Sequence, residues 1–200
     1  MLDQKIRGTW NKALAPVGRG LGRLGLTPNA VTVLGVAIQV LVAVEIVRGR
    51  LFAAGLIGFV GAMFDGFDGA VARAQGKVSK FGALLDSTTD RLTETLYLLP
   101  LAWLYGVAPD VAERDEPWVA GAAMTALVFG FLVSYVKARA EGLGFECRVG
   151  VAERAERMIL LILGLLLDLV PVAIVVLAVA SAITFLQRLL HVRKQSATVA

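Results

Sequence analysis

Residues 158–187 form a thirty-residue tract with a single charge, Asp168. Four more apolar stretches precede it with little between them, at residues 31–47, 51–64, 82–106 and 119–135. A helix that crosses a bilayer needs about 20 consecutive, mostly apolar residues. The last tract is therefore too long for one crossing. Asp168 and Pro171 interrupt it, and proline is disfavoured inside a helix but tolerated in its first turn, so the tract divides into two. Six spans result. Composition agrees: 57% of the chain is apolar, 18% is charged and the mean hydropathy is +0.72, against roughly 45 to 50% apolar and about 25% charged in soluble domains. A chain this apolar excludes disorder, a collagen repeat and a disulfide scaffold, and its only cysteine, Cys147, cannot close an intrachain disulfide. The net charge of +4 points to anionic lipid and not to nucleic acid, because the hydropathy decides between them.

The opening residues lack the unbroken apolar core of a signal peptide. At about 100° per residue, Leu2, Ile6, Trp10, Ala13, Leu14, Val17, Leu21 and Leu24 share one side of a helical wheel, and Lys5, Lys12, Arg19 and Arg23 gather on another. This predicts an amphipathic helix lying in the membrane surface, weakened by Pro16 and the glycines at 18, 20 and 22. The expected architecture is an all-α integral membrane protein: one domain over residues 1–200, with an interfacial arm at 1–24, six spans within 25–190 and a tail at 191–200. Lysine and arginine concentrate on the cytoplasmic side of membrane proteins. One set of alternate loops holds the basic arm, Arg73, Lys77 and Lys80, the segment from Lys137 to Arg157, and Arg188, Arg193 and Lys194; the other holds Arg48, Arg50 and a mostly acidic loop around Asp110 and Glu116. Both termini are thus expected in the cytoplasm.

Chemistry is expected where charge intrudes on apolar helices. Asp65, Asp68, Asp86 and Asp90 lie within or beside apolar stretches, and carboxylates at membrane depth are costly and seldom idle. The first two are three residues apart and the second two four apart, so each pair lines one helix face. If the two helices are antiparallel neighbours, the four carboxylates converge, and like charges so close need a cation between them. Oxygen donors without imidazole or thiolate favour Mg2+ or Mn2+. Gly66 and Gly69 leave bare backbone for a ligand to approach.

The run D-x2-D-G-x2-A-R-x8-G-x3-D-x3-D, made by Asp65, Asp68, Gly69, Ala72, Arg73, Gly82, Asp86 and Asp90, resembles the signature of the CDP-alcohol phosphatidyltransferase family. The resemblance implies a membrane enzyme, usually a homodimer, that displaces CMP from a CDP-linked lipid with an alcohol. Carried over by position, it implies that Asp65, Asp68 and Asp86 hold two divalent cations. Asp90 then completes the second metal site and acts as the catalytic base. It also implies CDP-lipid contacts from Gly69, Ala72, Arg73, Ser79 and Gly82, and from Asn29, Ala30, Val31 and Thr32.

The loop after the fourth span is more cationic than topology alone requires, which suits an alcohol that already carries a phosphate. Its Lys137 to Arg139 and Glu153 to Arg157 segments are similar to the KAR and ERPER segments of phosphatidylinositol phosphate synthases and archaetidylinositol phosphate synthases, with Ala155 where proline is common. The likeness implies that Lys137, Arg139, Arg154, Arg157 and Arg188 bind the phosphate of inositol phosphate. The lipid donor would be CDP-diacylglycerol or CDP-archaeol. Glycerol phosphate is the rival acceptor; outside the class, a cation channel or transporter could also use intramembrane aspartates. His191 and Cys147 are read as bystanders, the aromatic residues as interface anchors and packing, and Glu45 as a partner for Arg48 or Arg50.

Overall fold

The computed structural model describes residues 16–64, 67–112 and 116–199. Every regular element among them is helical. Residues 16–23 form α1, followed by α2 (Pro28–Val47), α3 (Leu51–Phe64), α4 (Phe67–Ala74), α5 (Lys80–Gly106), the short α6 (Pro109–Ala112), α7 (Trp118–Gly142), α8 (Arg154–Leu166) and α9 (Val170–Val199). Four stretches among the described residues are long and apolar enough to cross a membrane: Pro28–Val47, Leu51–Ala74, Trp118–Gly142 and Val170–Ala197. The chain is a multi-pass membrane protein.

The outward side of α9 is as apolar as its buried side. Its buried residues include Ile174 and Leu177 together with Ala173, Ala178, Ser181, Thr184 and Arg188, whereas Val172, Val175, Val179, Ile183, Leu186 and Leu190 are exposed. In hydrocarbon the large aliphatic side chains lose nothing by facing outward, and small or polar groups turn inward, where backbones approach closely and hydrogen bonds can be made. The same holds on α7, where Ala123, Ala126 and Gly130 are buried while Phe131 and Tyr135 are exposed.

Helix boundaries follow local chemistry. Thr27 caps α2, its hydroxyl accepting the Ala30 N–H at 3.2 Å, with Pro28 in the first helical position. Ser79 caps α5 in the same way through the Gly82 N–H at 3.0 Å. The α4 C-terminus closes with paired bonds, Gly76 N–H to Arg73 O and Lys77 N–H to Ala72 O, and Gly76 takes a φ of 63° there. Asp168 does the same after α8 with a φ of 58°. It separates α8 from α9, and Pro171 falls in the first turn of α9.

The chain divides into two compact units. The first comprises Met1–Leu41 and Ile57–Thr93, the second Val42–Leu56 and Glu94–Ala200. Within the first, Gly18 of α1 lies so close to the Ala70 carbonyl that a Cβ would sit 2.6 Å from it, and Gln75 donates to the Leu26 carbonyl at 2.9 Å. The glycine that weakens the arm in sequence is thus a packing notch. The earlier part of the arm, including Leu2 to Leu14, lies outside the described residues. Within the second unit, α9 packs along α7 and α8. Glu45 bonds Arg48 at 2.9 Å and lies 3.6 Å from Arg50. Tyr97 and Tyr105 are fully buried, while Trp103, Trp118 and Tyr135 are exposed, which separates packing aromatics from interface ones.

Candidate active site

In the first unit, Asp68, Asp86 and Asp90 line one narrow crevice with Val31, Thr32, Gly35, Val36, Phe64, Thr89 and Thr93. Asp68 enters it from the first turn of α4, Asp86 and Asp90 from successive turns of α5, and Thr32 from α2. The Thr32 hydroxyl lies 2.8 Å from Asp68 Oδ2 and 3.2 Å from the Pro28 carbonyl. The Gly69 N–H donates to Asp68 Oδ1. These bonds aim the carboxylate. Asp90 is mostly buried and pairs with Arg91 at 3.4 Å. Asp65 lies outside the described residues. Among the described residues no three carboxylate, imidazole or thiol groups close into a ready cage for an ion. The donor set is nevertheless all hard oxygen, and three carboxylates on one crevice suit a divalent cation in type and charge.

The remaining nucleotide-side candidates fall around this crevice in distinct roles. Val31 is buried in its wall. Asn29 and Ala30 form the capped first turn of α2. Ser79 and Gly82 form the capped first turn of α5, so both are engaged in helix initiation. Arg73 lies over Gly69, where a Cβ would meet its Nη1 at 3.1 Å. Ala72 shares that turn of α4. Thr89 and Thr93 were not singled out from sequence, although both fall on the Asp86 to Asp90 face at helical spacing.

In the second unit the basic candidates differ sharply in exposure. Lys137 and Arg139 stand in the last turns of α7, Arg139 exposed and Lys137 partly so; Arg154, partly exposed, opens α8. Arg157 and Arg188 are buried, at 2% and 3% exposure. Arg157 binds Glu94 with two contacts, Nε to Oε1 at 2.5 Å and Nη2 to Oε2 at 3.1 Å, and Nη1 donates to the Ala152 carbonyl at 3.1 Å. Arg188 donates to the Val149 and Val133 carbonyls at 2.9 and 2.7 Å and lies 3.5 Å from Glu153. Residues 146–152 are laced to α9: the Ala152 N–H reaches Thr184 Oγ1 at 3.0 Å, and the Glu146 N–H reaches Gln195 Oε1 at 3.1 Å. Glu94 escaped the sequence reading. Its one signal was spacing, since it continues the four-residue repeat of Asp86 and Asp90.

Residues 25–186 match the sequence profile of CDP-alcohol phosphatidyltransferase. The chain belongs to the CDP-alcohol phosphatidyltransferase family. The match takes in every candidate from Asn29 to Arg157 and stops just short of Arg188. Among curated members of the family, the chain is 38% identical to the archaetidylinositol phosphate synthase of Pyrococcus horikoshii over 192 residues, covering 96% of each chain. It is 37% identical to the phosphatidylinositol phosphate synthase of Mycobacterium tuberculosis over 193 residues, covering 92% of this chain and 87% of the relative. A crystal structure of the M. tuberculosis enzyme with CDP-DAG bound superposes with a TM-score of 0.82 at 37% identity, over 90% of this chain and 94% of that one. A second, in complex with manganese and citrate, superposes with a TM-score of 0.81 over 90% and 88%.

Proposed function

We propose that this member of the family transfers the phosphatidyl group of a CDP-linked lipid, CDP-diacylglycerol or CDP-archaeol, to inositol phosphate and releases CMP. The observation that carries the proposal is the crevice shared by Asp68, Asp86 and Asp90, in a chain about two-fifths identical to synthases of this type. The relative crystallised with CDP-DAG, and with manganese, supports the donor and the metal.

Asp65, Asp68, Asp86 and Asp90 would hold divalent cations, two Mg2+ or Mn2+, which when bound neutralise the diphosphate and make CMP a better leaving group. Thr32 keeps Asp68 turned toward the crevice. Asp90 accepts the proton of the attacking inositol hydroxyl. The new bond forms between that oxygen and the lipid-side phosphorus as the bond to the CMP oxygen breaks. Gly69, Ala72, Arg73, Ser79 and Gly82 take the nucleotide end, with Asn29, Ala30, Val31 and Thr32. Arg73 offers a planar fork of donors to a phosphate. Lys137, Arg139, Arg154, Arg157 and Arg188 bind the acceptor's phosphate.

The architecture that goes with this reading has six spans, the four above together with α5 and the shorter α8, whose 13 residues reach only about 20 Å. At 1.5 Å per residue, the 27 residues of α5 reach about 40 Å, about 10 Å more than the hydrocarbon core, so its first turns, from Lys80 to about Asp86, can stand at the inner surface while the remainder crosses. The single domain begins with an amphipathic interfacial arm, keeps both termini and the active site on the cytoplasmic side, and assembles as a homodimer.

The test uses purified protein with CDP-diacylglycerol, Mg2+ and one acceptor at a time, following CMP. Inositol phosphate should release CMP, and a chelator should stop it. Faster release with glycerol phosphate would reassign the acceptor. No release with any alcohol, together with ion flux in vesicles, would favour a channel or transporter.

A further inference from the structure

Arg157 has five N–H donors. Glu94 takes two of them along the side-on edge, through Nε and Nη2, and the Ala152 carbonyl takes one from Nη1. Among the described residues the other two N–H groups, one on each terminal nitrogen, have no further acceptor. A buried arginine held this way keeps its plane and loses its rotamer freedom, so ordering it costs nothing further when an anion arrives. The sequence leaves room for the arrangement: Gly130 of α7 faces Glu94, and a Cβ there would sit 3.0 Å from Glu94 Oε1. Both carboxylate and guanidinium are almost wholly buried, at 3% and 2% side-chain exposure. A buried pair of this kind is weak support for stability, because desolvating two ions offsets most of their attraction. Its better use is to fix geometry.

We propose that Glu94 is a positioning residue for acceptor recognition, orienting Arg157 so that its two remaining N–H groups meet the phosphate of the acceptor. The inference rests on the acceptor reading above. Glu94 does not touch the acceptor and acts only through Arg157. Because the carboxylate already balances the guanidinium, what the pair contributes to recognition is the direction of its donors more than surplus charge.

The experiment measures CMP release by the full-length protein, varying inositol phosphate and CDP-diacylglycerol separately, for wild type, Glu94→Gln, Glu94→Asp and Gly130→Ala. Glu94→Gln should raise the KM for inositol phosphate by about tenfold, the scale of one charge-assisted hydrogen bond, with the KM for CDP-diacylglycerol changed less than about twofold. Glu94→Asp, which keeps the charge, should recover part of the loss. Gly130→Ala alters neither charge and displaces the carboxylate by a few tenths of an ångström, so it should move the same KM in the same direction by a smaller factor. Thermal unfolding of each variant in detergent separates positioning from folding. An equal rise in both KM values, or a fall in melting temperature with inositol phosphate KM unchanged, would overturn the role of Glu94. Wild-type protein that does not respond to inositol phosphate at all would instead overturn the acceptor reading.

Discussion

Asp90 reaches the crevice as a mostly buried side chain one turn beyond Asp86, and it is the carboxylate proposed above to take the proton. Asp90→Asn keeps the shape and removes the base. Turnover should fall by at least about a hundredfold, the usual worth of a positioned acid or base, while CDP-lipid binding, measured by titration in detergent, stays within a few-fold. Turnover near wild type would dismiss it as the base. Cys147 shows the opposite case, a reactive residue type made inert by its surroundings. It is fully buried, and that burial pushes the thiol above its ordinary value against the pull of nearby Arg188. A raised thiol pKa means less thiolate at neutral pH, and thiolate is the reactive form. The folded protein should therefore resist maleimide at neutral pH and react only after denaturation or well into alkaline solution; rapid labelling of folded protein would contradict this. Residue types at motif spacing were readable directly, because four aspartates in apolar helices have few other reasons to be there. Glu94 was not, since a lone glutamate four residues past Asp90 gains meaning only when Arg157 is seen beside it.

At the scale of elements, helix starts and stops depend on neighbours in the chain, yet hydropathy alone marked only the apolar part of each helix, so that α7 continues to Gly142 beyond the apolar stretch that ends at Tyr135. Thr27 with Pro28, Ser79 with Gly82, and Gly76 with its two closing bonds are local devices. The break at Asp168 and Pro171 is of the same kind. The segment 146–152 is different. It has no regular structure, and it is held by side chains of α9 that lie more than thirty residues away in sequence. Thr184 takes the Ala152 N–H, and Arg188 takes the Val149 carbonyl. Thr184→Val should leave a buried N–H without its partner, a loss of about 1 to 3 kcal/mol. In a chain of this size that lowers the melting temperature by several degrees, as read by thermal unfolding in detergent. A melting temperature equal to wild type would mean that the segment does not depend on this bond.

For the whole molecule, hydrophobicity sorts residues by depth, and loop charge sets orientation. Because Cys147 is buried and is the only cysteine, single added cysteines can report which side they face. Ser196→Cys on the exposed end of α9 should react with a membrane-impermeant maleimide in inverted vesicles and not in intact cells, and Glu116→Cys should do the reverse; the opposite pattern would invert the topology. The sequence by itself determined the membrane as solvent, the run of helices, the acidic signature and the family, because hydropathy and spacing are properties of the chain read in order. Only the tertiary structure decided that Asp68, Asp86 and Asp90 share one crevice with Thr32, and that Arg157 is engaged by Glu94 while Arg139 stands exposed. Those facts depend on which buried groups find partners across long sequence separations, where an unpaired charge is too costly to leave alone, and no local pattern specifies that choice.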